Sequence, residues 1–91
     1  MKYPIITLND ETEITASNLT ENGKIFVYIE KWNASLDDFN YFEIILPDNF
    51  ITKQNGYTEV EIEKLKNHII SLQKDIFDYV QEKEEEEKCR V

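Results

Sequence analysis

A single histidine, His68, and a single cysteine, Cys89, are the side chains best suited to proton transfer, metal ligation or nucleophilic attack. Such chemistry needs company: further ligands for a metal, or a base and an orienting group for a nucleophile. On a helix His68 lies about two turns from Glu61 and from Asp75, so it reads as a solvated helix-surface residue. Cys89 has no second Cys or His near it and reads as an inert tail thiol. Asp10, Glu11 and Glu13, and likewise Asp37 and Asp38, lack the alternating acids and glycine of a calcium loop, and read as turn acids. Gly23 and Gly56 stand in separate turns, which leaves no glycine-rich phosphate loop. The expectation is a protein without catalytic residues, metal or cofactor, and not an enzyme.

The elements that position these residues begin with two short β-branched runs, residues 3–8 and 12–16, joined by the polar Asn9-Asp10-Glu11. Pro4 cannot donate to a ladder, which places the first strand at an edge. After Asn22-Gly23, the run Lys24 to Trp32 contains consecutive apolar residues from Ile25 and reads as a central strand covered on both faces. Phe39 to Leu46 reads as a fourth strand, closed by Pro47-Asp48-Asn49. Residues 50–56 add at most a short extended piece before Asn55-Gly56 turns the chain.

Thr58 and Glu61 have capping-box spacing, and Tyr57 and Ile62 occupy the two positions of a hydrophobic staple. From there Ile62, Leu65, Ile69, Leu72, Ile76 and Tyr79 recur at three- and four-residue steps on one helix face. A helix over about residues 59–83 is roughly 37 Å long at about 1.5 Å per residue, against about 20 Å for a six-residue strand. The predicted fold is α+β: a four-stranded antiparallel β-meander (ββββα), sheet about 3–46, with one long C-terminal amphipathic helix packed on it. Residues 1–83 form the single domain, and 84–91 an acidic tail expected to fray, because negative charge opposes the dipole at a helix C-terminus.

With 91 residues there is room for one modest core. Nineteen Asp and Glu against ten Lys and Arg give a net charge of −9, which repels a nucleic-acid backbone and anionic lipid. The excess is spread over both halves: residues 1–57 hold nine acids and four bases, and residues 58–91 ten acids and six bases. The start Met1 to Ile6 turns polar within a few residues, so neither signal peptide nor membrane span is expected, and the location defaults to the cytoplasm. Asn18-Leu19-Thr20 and Asn33-Ala34-Ser35 match the glycosylation pattern but, without an export signal, read as chance matches.

One helix covers only one sheet face, yet both faces carry large apolar groups. Ile25, Val27, Ile29, Phe42, Ile44 and Leu46 are assigned to the helix-facing core. Phe26, Tyr28, Trp32, Tyr41 and Ile45 fall on the opposite face, where exposed aromatic side chains are typical interface anchors. On the helix Ile70, Phe77 and Val80 widen the apolar stripe. The expected function is a non-enzymatic protein–protein interaction module, binding itself as a homodimer or an unidentified host protein through these eight residues. One alternative is an acidic phage or mobile-element inhibitor that mimics nucleic acid in a basic groove, and the Ile-, Asn-, Lys- and Glu-rich composition fits an AT-rich bacterial or phage source. Another is an antitoxin-like partner whose helix fills a groove on its cognate.

Overall fold

The computed structural model describes residues 2–89, without the side chains of Lys2, Lys88 and Cys89, so the Cys89 thiol and residues 90 and 91 lie outside the described residues. The fold is α+β, with five strands and two helices rather than four strands and one helix. Strands β1 (Lys2–Thr7), β2 (Glu13–Ser17), β3 (Ile25–Asn33), β4 (Asp38–Leu46) and β5 (Phe50–Asn55) form an antiparallel meander in chain order. Helices α1 (Glu59–Ser71) and α2 (Gln73–Cys89) follow.

The strand the sequence left ambiguous is β5, which pairs Asn55 with Tyr41 and Phe50 with Ile45 around a bulge opposite Glu43 and Ile44. As an edge strand it is largely exposed, and only Ile51 packs against the core. Its polar Lys53-Gln54-Asn55 end therefore hides the strand from any reading of hydrophobic alternation. At the opposite edge Pro4 sits in β1, with a register shift between Pro4 and Ile6.

The core fills the space between the sheet and the helices. Ile25, Val27 and Ile29 of β3 and Phe42, Ile44 and Leu46 of β4 are fully buried, together with Ile14 and Ala16 of β2. Ile69, Ile76 and Val80 meet them from the helices, each such side chain contributing about 2 kcal/mol through removal from water. Helix α1 starts at the N-cap Thr58, whose hydroxyl accepts from the Glu61 N–H at 3.2 Å while the Thr58 N–H donates to the Glu61 carboxylate at 3.0 Å. Tyr57 lies edge-on to Phe42, ring centroids 5.8 Å apart, and fixes the entry of the chain into the helix layer.

The expected single helix is interrupted at Leu72. The Ser71 hydroxyl donates to the His68 carbonyl at 2.6 Å, and the Leu72 N–H is shared between the carbonyls of His68 (3.2 Å) and Ile69 (3.0 Å). A hydroxyl that competes for a backbone carbonyl tightens and bends a helix locally, and Leu72 accordingly sits at φ −99°, ψ 4°. The ladder resumes with the Ile76 N–H on the Leu72 carbonyl at 2.9 Å.

Helix α2 continues through the acidic run as far as Cys89. Two of those acids bond to the sheet layer: the Glu84 carboxylate accepts the Leu19 N–H at 2.6 Å, and Glu87 bonds the Tyr3 phenol, which burial first and Glu87 second push above its ordinary value. Lys83 adds an ion pair to Glu86 at 3.5 Å. The contacts to Leu19 and Tyr3 act against the dipole penalty on which the fraying expectation rests.

Candidate functional site: the uncovered sheet face

Strand periodicity carries alternate residues of β3 and β4 away from the helices. The cross-strand pairs Phe26–Ile45, Tyr28–Glu43, Glu30–Tyr41 and Trp32–Phe39 stand in sequence along this outer face. Strand β5 extends them with Phe50 beside Ile45, Lys53 beside Glu43 and Asn55 beside Tyr41. The face thus has three zones: an apolar end at Phe26, Ile45 and Phe50, a polar middle, and an aromatic end at Tyr41, Trp32 and Phe39.

The polar middle is organised by Glu43, which is only 5% exposed although it points away from the core. Its carboxylate accepts the Thr52 hydroxyl at 2.6 Å and lies 3.9 Å from the Lys53 ammonium. A hydrogen bond to this carboxylate, followed by burial, pushes the Tyr28 phenol up to about 12. Lys53 also sits 5.9 Å from the Tyr28 ring centroid. The neighbouring ring and aliphatic stems exclude water, and each carboxylate oxygen has a donor or cation in return. This zone is a fixed platform between the two apolar ends.

The aromatic end is the most open. Trp32 is 50% and Phe39 44% exposed, and the two rings meet edge to face with centroids 5.1 Å apart. Beside them runs a groove of about 370 Å³ lined by Thr7, Glu11, Glu13, Glu30, Lys31, Trp32 and Phe39. The β3–β4 hairpin that carries the pair is held at its base by amides: Asn33 Nδ2 donates to Asn40 Oδ1 at 3.2 Å and Asn55 Nδ2 to the Phe39 carbonyl at 3.0 Å. Leu36, at the tip of the hairpin, is also exposed.

Of the eight residues singled out from sequence, Phe26, Tyr28, Trp32, Tyr41 and Ile45 come together on this face. Ile70, Phe77 and Val80 belong to the helix layer on the other side of the sheet and join no common surface with them. Val80 requires correction: it is 0% exposed, because the α2 face that bears Ile76 also turns Val80 into the core. Phe77 packs partly against the same core. Phe39 and Phe50 were missed as surface anchors, and the signal for Phe39 was its place opposite Trp32 in the hairpin register. His68 is exposed on α1, and among the described residues no group of three or more His, Cys, Asp or Glu is placed to hold a metal ion. No described helix is long and apolar enough to cross a membrane.

No protein-family model, curated protein or solved structure matches this chain.

Proposed function

We propose that this protein is a non-enzymatic protein-binding module whose outer sheet face receives a partner protein. The observation that carries the reading is the Trp32–Phe39 pair, two large rings half open to solvent on the β3–β4 hairpin and uncovered by the helices. Aromatic anchors of this kind contribute most where a partner completes their burial. The Glu43 platform supports the reading by holding the middle of the face in one arrangement. The helix layer is assigned the structural role, since Val80 is buried in the core and Phe77 packs partly against it. A cytoplasmic setting belongs to the same proposal.

Trp32 is the only tryptophan, so 5-fluorotryptophan labelling gives one ¹⁹F resonance on the face itself. The resonance is expected to shift or broaden in cell extract relative to buffer. Excess unlabelled wild-type chain should restore it, whereas a folded Trp32→Ala/Phe39→Ala chain should not. A second copy as partner would show as concentration dependence in buffer alone. A resonance identical in buffer and extract at all concentrations, or one restored equally by the doubly substituted chain, would refute the proposal.

A further inference from the structure

We infer that Asn22 is a site of spontaneous covalent modification, converted through Gly23 to isoaspartate and aspartate, while the identical pair Asn55-Gly56 is protected by the fold. The inference is independent of what binds the outer face. In the first step the Gly23 peptide nitrogen forms a bond to the Asn22 side-chain carbon Cγ. The Cγ–Nδ2 bond breaks, and the amide leaves as ammonia with the proton from the glycine nitrogen. Water then opens the resulting five-membered imide at either carbonyl, to aspartate or isoaspartate, and nothing is oxidised or reduced. Asparagine is a thermolabile residue, and a following glycine has no Cβ to block the approach of its nitrogen.

The two pairs differ in what holds them. Asn22 and Gly23 are exposed in the loop between β2 and β3, and among the described residues no hydrogen bond holds the Asn22 side-chain amide. The nucleophile is restrained by one exposed turn bond, from the Gly23 N–H to the Thr20 carbonyl at 2.9 Å. Behind it the Lys24 N–H donates to the Thr20 hydroxyl at 3.0 Å, and the Thr20 N–H to the Lys24 carbonyl at 2.8 Å. Neither of these involves Asn22 or Gly23, so the tip of the loop opens while its base stays closed, a local event far less costly than unfolding.

At the second pair the electrophile itself is tethered. Asn55 Nδ2 donates to the Phe39 carbonyl at 3.0 Å, and Asn55 pairs with Tyr41 in the β4–β5 ladder. Ring closure also requires the Asn55-Gly56 peptide to turn toward Cγ. Gly56 lies so close to Asn40 that an added Cβ would stand 2.9 Å from the Asn40 Cγ, whereas Gly23 has nothing within 4 Å of one.

The product carries a carboxylate where a neutral amide stood, taking the net charge from −9 to −10 (−9 − 1). The new charge lies two residues before Lys24, whose ammonium is 2.6 Å from Asp48 in the β4–β5 turn. Isoaspartate also inserts a methylene into the backbone of the loop.

The test incubates the full chain at mildly alkaline pH, once native and once in concentrated guanidinium chloride, and follows the peptides holding Asn22 and Asn55 by mass spectrometry. Loss of the amide appears as a gain of one mass unit, and electron-transfer fragmentation separates isoaspartate from aspartate. In the native chain Asn22 is expected to convert about fivefold or more faster than Asn55, the ratio set by one additional retained hydrogen bond. In denaturant the two rates should converge, and Gly23→Ala should there slow Asn22 and leave Asn55 unchanged. Native rates that are equal, or faster at Asn55, overturn the inference. So does a native chain in which neither residue converts, or a gap of the same size in denaturant, which assigns it to sequence neighbours. A product that is aspartate alone, or a Gly23→Ala chain no slower at Asn22, overturns the route through the Gly23 nitrogen.

Discussion

Gly56 joins the sheet to the helix layer, and its replacement by alanine should be among the costliest single changes outside the core. Two costs combine. The residue sits at φ +82°, where an L side chain costs about 1–2 kcal/mol. An added Cβ would also overlap the Asn40 side-chain oxygen and stand 2.9 Å from its Cγ and 3.4 Å from its Cα. Asn40 is nearly buried and that oxygen holds the 3.2 Å bond from Asn33, so displacing it forfeits about 1–3 kcal/mol. Gly56→Ala should therefore cost about 2–5 kcal/mol.

Gly23→Ala is the internal control, because Gly23 has φ +75° but nothing within 4 Å of an added Cβ. It should cost only the backbone share, about 1–2 kcal/mol. Urea unfolding followed by circular dichroism gives both values from the midpoints if the slopes are unchanged. The gap between the two variants, about 1–3 kcal/mol, corresponds to about 4–24 °C in Tm for a domain of this size. Two variants that agree within about 0.5 kcal/mol, below the smallest Asn40 contribution expected, would refute the claim that the turn after β5 locks onto the base of the Trp32 hairpin.

Other consequences follow from the same structure. Thr58→Ala removes the N-cap hydroxyl and should cost about 1 kcal/mol in urea unfolding. Glu61 is held below its ordinary value of 4.5 by the Thr58 N–H. Its contribution is therefore full above pH 4.5 and lost as pH falls through the depressed value, so the stability deficit of Glu61→Ala should shrink across that interval. For Tyr28 the sign reverses: a pKa raised to about 12 gives stability that is full below 10.0 and lost as pH rises toward 12. Glu43→Gln keeps the shape and removes the charge, so the Tyr28 ring carbon bearing the hydroxyl should titrate closer to 10.0 in ¹³C NMR. An unchanged Tyr28 titration would remove Glu43 as its cause.

Much of this architecture is written in local pattern. Strict alternation in β3 and β4 assigned Ile25, Val27, Ile29, Phe42, Ile44 and Leu46 to the helix side, and all six are fully buried. The helix start was legible because Thr58, Glu61, Tyr57 and Ile62 each signal it separately. What escaped depends on tertiary context. Strand β5 is an edge element whose pairing with β4 supplies a stability that its own polar residues do not announce. The break at Leu72 turns on one hydroxyl bonding one carbonyl, a choice open to any serine in a helix. Val80 looked like surplus stripe because spacing shows that a helix face is apolar but not how far a twisted sheet wraps around it. The convergence of Glu11, Glu13 and Glu30 with Trp32 and Phe39 required the register of three strands, which no local pattern carries.

The central claim, that the aromatic end of the outer sheet face is where a partner protein sits, is tested most directly by a photo-cross-linking amino acid placed at Phe39. The same group at Val60, 72% exposed on α1, is the matched control. In cells producing the full chain, a discrete cross-linked product at position 39 that is absent at position 60, and that disappears on adding Trp32→Ala, is the predicted result. Products of equal yield at both positions, or a product at position 60 alone, would contradict the account.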